Sequence, residues 1–273
     1  MCRLAAFALT MALTARAAPA QSLGLTPAEI RAAFRPQQVL QFELHVSNEG
    51  DAPVAMRGSV TDLWFDPATN EKVFAAPGTL PRSAANWVTF VPATFTVAAH
   101  ATATVKALIT PPPEATGGAY AVLFFESKPE ATHDPSSPGR AVYANVRLGA
   151  LLLLNASGTE DYRIAVTDMA LTPPDAHRNL ELSFQLRNAG NTHIFPEARL
   201  TIVNGRKQVV ARAEADVKRF FPGQKDSIRL TWSGSLPAGE YTCVLTVTYG
   251  NDKVHTETMP LRVAQQGESP AAE

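Results

Sequence analysis

Few residues of this 273-residue chain stand at spacings that chemistry uses. Asp62, Asp66 and Asn70 offer oxygen ligands close together in sequence, which is the raw material of a calcium site. They lack the alternating spacing of a calcium loop, and acidic residues are ordinary in turns. The six histidines, at 45, 100, 133, 177, 193 and 255, contain no pair at helical or hairpin metal spacing. Neither a Gly-x-Ser-x-Gly elbow nor a glycine-rich phosphate loop after a strand is present. Cys243 lies on the apolar run Tyr241–Leu245 and reads as a buried core thiol rather than a nucleophile. The expectation is a non-enzymatic chain with no catalytic residues, no metal and no cofactor.

The elements that would carry any site are strands. Phe42–Gly50 (FELHVSNEG) returns as Leu182–Gly190 (LSFQLRNAG), each an alternating apolar run that stops at Asn-x-Gly. Gly118-Ala119-Tyr120 is echoed by Gly239-Glu240-Tyr241, again before an apolar strand. Alternation means one buried face per strand, and Asn-x-Gly means a turn, so one plan is used twice. The expected class is all-β, with two tandem β-sandwiches. Strands are predicted near 38–47, 53–62, 86–90, 94–98, 102–110, 118–127 and 141–154, and then near 161–171, 179–188, 197–204, 207–216, 225–232, 239–249 and 253–263. Asn204-Gly205 signals a two-residue hairpin. Pro27–Ala33 has local helix character or is a kinked edge strand, and Lys128–Arg140 reads as an exposed loop. Tyr120 and Tyr241 fit corner tyrosines that hydrogen-bond the backbone, while Trp64, Trp87 and Trp232 read as core fillers.

The start of the chain reads as a cleaved signal peptide: Arg3, then the apolar run Leu4–Leu13, then Ala18-Pro19-Ala20 before Gln21. That run is too short for a spanning helix, which needs about twenty residues. The domains are expected at 1–20 (signal), 21–155, 156–264 and 265–273 (polar tail). The formal net charge of −1, made more negative by loss of Arg3 and Arg16, gives no reason to expect nucleic acid as a partner. Past the signal no apolar run reaches transmembrane length. The least ordinary stretch is Val142–Leu154, which alternates at first and is apolar at every position from Ala150. It reads either as a central strand covered by a domain contact or as an edge that accepts a partner's strand.

Leu25–Phe34, the strand ending at Asn48, Val60-Thr61-Asp62-Leu63-Trp64, Trp87-Val88, Pro92–Phe95, Thr104-Val105 and Ala119–Val122 resemble the amino-terminal domain of PapD-like periplasmic pilus chaperones. The resemblance implies two immunoglobulin-like domains and a client held by strand pairing. It also implies that Arg31 anchors the client's terminal carboxylate. The family's second cation falls on Gly149, with Arg147 two residues earlier as a stand-in. Asn145–Leu152, Gly158 and Asn188–Gly190 are similar to the extracellular WxL-interacting proteins, whose likeness implies a surface-binding sandwich joined to a second one. The resulting expectation is an exported, periplasmic or extracellular protein that binds a protein client or a surface-assembly component. Arg31, Arg147, Leu148, Leu151 and Leu152 are its candidate client contacts, and Tyr120, Tyr241, Trp64 and Trp87 its structural residues. The alternative is a cell-envelope structural or carbohydrate-binding module.

Overall fold

The computed structural model describes residues 23–66, 69–133, 141–175, 177–215 and 219–264. The expected signal (1–20) and tail (265–273) lie outside the described residues. In chain order the first half forms β1 Leu23–Thr26, β2 Glu29–Phe34, β3 Leu40–Asn48, β4 Val54–Phe65, β5 Lys72–Ala75, β6 Val88–Val91, β7 Thr94–Val97, β8 Ala101–Ile109, β9 Gly117–Ser127, β10 Glu130–His133, β11 Ala141–Ala144 and β12 Arg147–Ala156. The second forms β13 Ile164–Thr172, β14 Leu180–Asn188, β15 Glu197–Asn204, β16 Val209–Ala215, β17 Lys225–Trp232, β18 Gly239–Tyr249 and β19 Lys253–Val263.

The first sandwich faces a sheet of order β1-β3-β8-β6 onto one of order β2-β12-β9-β4-β5, with β7 on the far end of β4. Register follows the apolar pattern: Leu44 lies opposite Val105 and Val46 opposite Ala103, so apolar positions fall on one face. Ile109, Leu123, Phe125, Leu152 and Leu154 fill the core between the sheets. Each such side chain contributes about 1.5–3 kcal/mol by leaving water. The second sandwich faces β13-β14-β17 onto β16-β15-β18-β19 around Phe184, Leu186, Leu200, Ile202 and Leu245. All-β, two-sandwich architecture is thus the observed fold.

Of the two readings of Pro27–Ala33 the edge strand is the one observed: from Glu29 the chain is a strand paired in parallel with β12 at the sheet edge, and Ile30 and Phe34 point into the core. Tertiary pairing overrides the weak helix propensity. Three other local expectations need correction. The run expected at 141–154 is two strands, broken at Asn145-Val146, where Val146 N–H donates to the Ser127 hydroxyl (3.0 Å) and its carbonyl accepts from Ser127 N–H (2.9 Å). The 128–140 segment contains β10, which pairs with β11. The Asn204 turn is longer than two residues: Asn204 Oδ1 accepts from the backbone N–H groups of Arg206 and Gln208, and Lys207 takes the left-handed φ of 62°.

The duplicated Asn-x-Gly turn is built the same way twice. Asn48 Oδ1 accepts from Gly50 N–H (3.0 Å), while its Nδ2 donates to the carbonyls of Ala52, Val97 and Ala98 at 2.8–3.2 Å. Asn188 Oδ1 accepts from Gly190 N–H (3.0 Å), and its Nδ2 donates to Thr192 (2.7 Å) and Phe220 (3.1 Å) carbonyls. Both side chains are buried, so each staples its turn to a distant segment by satisfying groups that water does not reach. Asn48→Ala and Asn188→Ala are each expected to destabilise the protein by about 1–3 kcal/mol. A lowered urea midpoint with an unchanged slope checks this, and an unchanged midpoint refutes it.

Candidate functional site: the joint between the sandwiches and the free end of β12

At Asn48 the repeated turn faces solvent; at Asn188 it makes the joint. Asn191 Oδ1 accepts from Asp161 N–H (2.7 Å), its Nδ2 donates to Thr159 O (2.9 Å), and its own carbonyl accepts from Gly118 N–H of β9 (3.0 Å). Thr159 Oγ1 donates to Ala156 O and accepts from Gly117 N–H, both at 2.8 Å, and the Thr192 hydroxyl donates to Asn155. The connecting segment is therefore held from both sides. A Cβ at Gly190 would stand 2.1 Å from the Asp161 carbonyl, whereas one at Gly50 would meet only the Asn48 side-chain oxygen at 3.2 Å.

Above this polar joint sits an aromatic cluster. Tyr120, Leu63, Val122 and Leu153 of the first sandwich pack with Phe221 of the second, flanked by Trp64, Phe65 and Phe195. Tyr120 and Phe221 meet edge-to-face at 4.6 Å, and Phe65 lies 4.9 Å from Phe221. Tyr120 is fully buried at this joint, with its hydroxyl over Gly118 and beside His193 and Thr192. Burial pushes its phenol well above the ordinary range. Its counterpart Tyr241 does make a local bond, donating to Pro237 O at 2.8 Å. Trp64 belongs to this joint and not to a sandwich core, while Trp87 packs on Phe34 (5.8 Å) at the margin of the first core. Trp232 packs against the second core.

The rim of the joint is charged. Glu29 on β2 accepts from Arg31 through one carboxylate oxygen and from Arg219 of the second sandwich through the other. Burial pushes the Glu29 carboxyl up, but the Arg31 hydrogen bond and the charges of Arg219 and Arg31 hold it below the usual range. The Arg31 guanidinium lies 3.9 Å from the Phe195 ring centroid, a cation–π contact. His193 is buried beside Tyr120 and Phe195, and its Nδ1 has no partner. Burial, then Arg219 and Arg31, lower its pKa to about 4 against the opposing pull of Glu29. A cleft of about 360 Å3 opens here, lined by Arg31, Leu153, Asn155, Tyr162, His193 and Phe195 among others.

β12 runs from this joint to an open end. Leu152 is fully buried in the first core, Leu151 packs against the aromatic cluster, and Leu148 is half-buried against the core margin. The apolar run is thus a strand covered on both faces, by its own core and by the second sandwich. β9 pairs with all of β12, but β2 covers only Leu151–Ala156. Leu151 N–H donates to Ala28 O (2.9 Å), so by strand alternation the N–H and C=O of Gly149 and Arg147 point the same way, beyond the start of β2. Among the described residues no strand pairs with Arg147–Ala150 on that side.

Arg147 does not join Arg31. In the parallel register Arg31 lies opposite Leu153, six residues beyond Arg147, which separates them by about 20 Å at roughly 3.3 Å per residue. One carboxylate cannot bridge that distance. Arg147 instead pairs with Glu126 (2.6 Å) and lies over Phe124 (3.6 Å), whose ring fills the place a Gly149 side chain would need. Of the calcium candidates, Asp62 is buried and its oxygens accept from Gly78, Thr79 and Leu80 N–H and from the Ser83 hydroxyl, pinning that loop. The buried Cys243 thiol is pushed up to about 11. Sequence reading missed Glu29, His193 and Arg219; the adjacent Phe220-Phe221 outside any alternating run was the one signal that pointed to this region.

Two outcomes follow from the joint. Gly190→Ala, which meets backbone, is expected to cost about 1–3 kcal/mol, and Gly50→Ala less than about 1 kcal/mol; equal urea midpoints for the two variants would refute the difference. His193 is harder to protonate when docked than in the unfolded chain, where 6.5 is its ordinary value. Stability should be full above that value and fall as pH drops from 6.5 towards 4, by on the order of 3 kcal/mol. Thermal melts across this range should flatten in His193→Gln.

No protein-family model matches the sequence, and no curated protein matches it. Solved structures resemble the chain at low identity. The class 5 fimbriae chaperone CfaA is 11% identical with a TM-score of 0.48, covering 88% of this chain and 98% of its own. The SafB chaperone of Salmonella enterica, solved with the SafA pilin, is 10% identical with a TM-score of 0.43 over 90% and 99% of the two chains. The E. coli chaperone DraB is 13% identical with a TM-score of 0.40 over 89% and 98%.

Proposed function

We propose that this chain is an exported, non-enzymatic chaperone or adaptor that holds a protein client by strand pairing at the open end of β12. The observation that carries the reading is the stretch Arg147–Ala150, paired with β9 on one edge and with no strand on the other among the described residues, whose outward N–H and C=O groups offer a ladder to an incoming strand. Its domains run 21–155 and 156–264, and it works in the periplasm or at the cell surface. Among the described residues no helix is long and apolar enough to cross a membrane.

Arg147 and Leu148 lie on the open stretch and meet the client's strand. Leu151 and Leu152 act from behind, fixing β12 between the core and the joint. Arg31 is half-exposed in the cleft and anchors the client's terminal acid; Arg147 has a separate role, guarding the edge by its charge. The two contacts lie about 20 Å apart at roughly 3.3 Å per residue, with β2 on the edge between them, so the client's terminal segment crosses β2 to reach the cleft.

The test uses partners that co-purify with the exported protein. Arg31→Ala is expected to weaken capture at least about tenfold, equivalent to roughly 1.4 kcal/mol, and unchanged capture sinks the anchor. Hydrogen exchange reads the edge separately. The amides of Arg147 and Gly149 should exchange quickly in the free protein and become protected with client bound, while the Ala150 and Leu152 amides are protected throughout. Continued fast exchange at 147 and 149 in the complex would end the strand-pairing reading.

A further inference from the structure

Among the described residues, the charged rim of the joint is one carboxylate short. Two guanidiniums, Arg31 and Arg219, share the single carboxylate of Glu29, one oxygen each. A guanidinium fork is best satisfied by both oxygens of one carboxylate, and here neither arginine has that. The shortage is visible: Arg219 Nε is buried with no acceptor, and His193 Nδ1 beside it has no partner. Arg31 remains more than half exposed, with its outer face towards the cleft. The chain itself shows which ligand the pair accepts, because a carboxylate already lies between them.

We propose that Glu29 is an internal competitor for the Arg31 seat, and that Arg219 sets how strongly it competes. This rests on the reading that Arg31 anchors a client carboxylate. When a second carboxylate reaches Arg31, Glu29 moves fully onto Arg219 and satisfies its Nε, so each arginine then has its own acid. Arg219 lies on the second sandwich, so the exchange strengthens the strut between the two. Arg219 is a positioning residue: it draws Glu29 away from the seat and need not touch the client. A seat open about one-tenth of the time binds about tenfold more weakly than one that is always open.

The signs of the substitutions separate this from a merely structural role. The probe is a short peptide of alternating Val and Thr, with either a free or an amidated carboxyl terminus, followed by NMR of the arginine Nε–H groups of the full protein. Glu29→Gln, close in shape and uncharged, is expected to tighten the free-acid peptide about tenfold and leave the amide unchanged. Arg219→Gln should weaken the acid peptide, because Glu29 is then left wholly to Arg31. The double variant should behave like Glu29→Gln alone. Weaker acid binding in both single variants would show a structural strut only and overturn the proposal. Should Glu29→Gln not fold, Glu29→Ala carries the same sign. Loss of acid preference in Arg31→Ala, together with no gain in the Glu29 variants, keeps the anchor and removes the competitor. No acid preference in the unaltered protein removes both.

Discussion

Everything distinctive in this molecule depends on the amide of Asn191 and the turn that presents it. One side chain holds the connecting segment at Thr159 and Asp161, and the same residue's carbonyl takes the Gly118 N–H of the first sandwich. The bond to Asp161 is half-buried and the one to Thr159 exposed, and it is their convergence on one residue that leaves the arrangement few alternatives. The turn is shaped by Asn188, the copy of Asn48, and closes only because Gly190 lets two backbones meet. A motif that merely ends a strand in the first sandwich has become a bearing in the second.

That joint divides β12 into three environments along ten residues. Near Ala156 it is paired on both edges and buried; at Leu151 and Leu153 its outer face is sealed by Phe221; at Arg147 one edge is open. An open ladder normally invites aggregation. Here the open part is short, begins with a charge, and is anchored by the most deeply packed strand of its sheet. The electrostatics follow the same gradient. Glu29, Arg31, Arg219 and His193 surround the dry end, while Arg147 and Glu126 form an exposed pair at the wet end.

The long alternating strands were legible because each announces its buried face, and the repeated Asn-x-Gly announced two copies of one plan. Not every short strand was: β1, β5 and β10, four residues each, show too little period to be read, although β6 and β7 of the same length were placed. β2 was ambiguous because its partner lies in β12, far along the chain, and its own residues favour no one state. Of the candidate contacts, Arg31 was found at a cleft, but the joint around it was invisible. Tyr120 and Phe221 approach to 4.6 Å while a hundred residues separate them in sequence, and no local pattern records that. The two copies of the Gly-x-Tyr element look alike as sequence, yet one tyrosine closes a local turn and the other plugs a domain contact.

The parallel pairing of β2 with β12 also sets an order of events. Glu29–Phe34 can take its place in the sheet only after Leu151–Ala156 is available, more than a hundred residues later. Contacts of such long range are closed late, because the intervening loop must first be brought together. On a chain that emerges amino terminus first, the strand carrying Glu29 and Arg31 waits, unpaired, until nearly the whole first sandwich has appeared. The charged seat is therefore among the last features of that domain to form, and it exists only in molecules whose core is already complete.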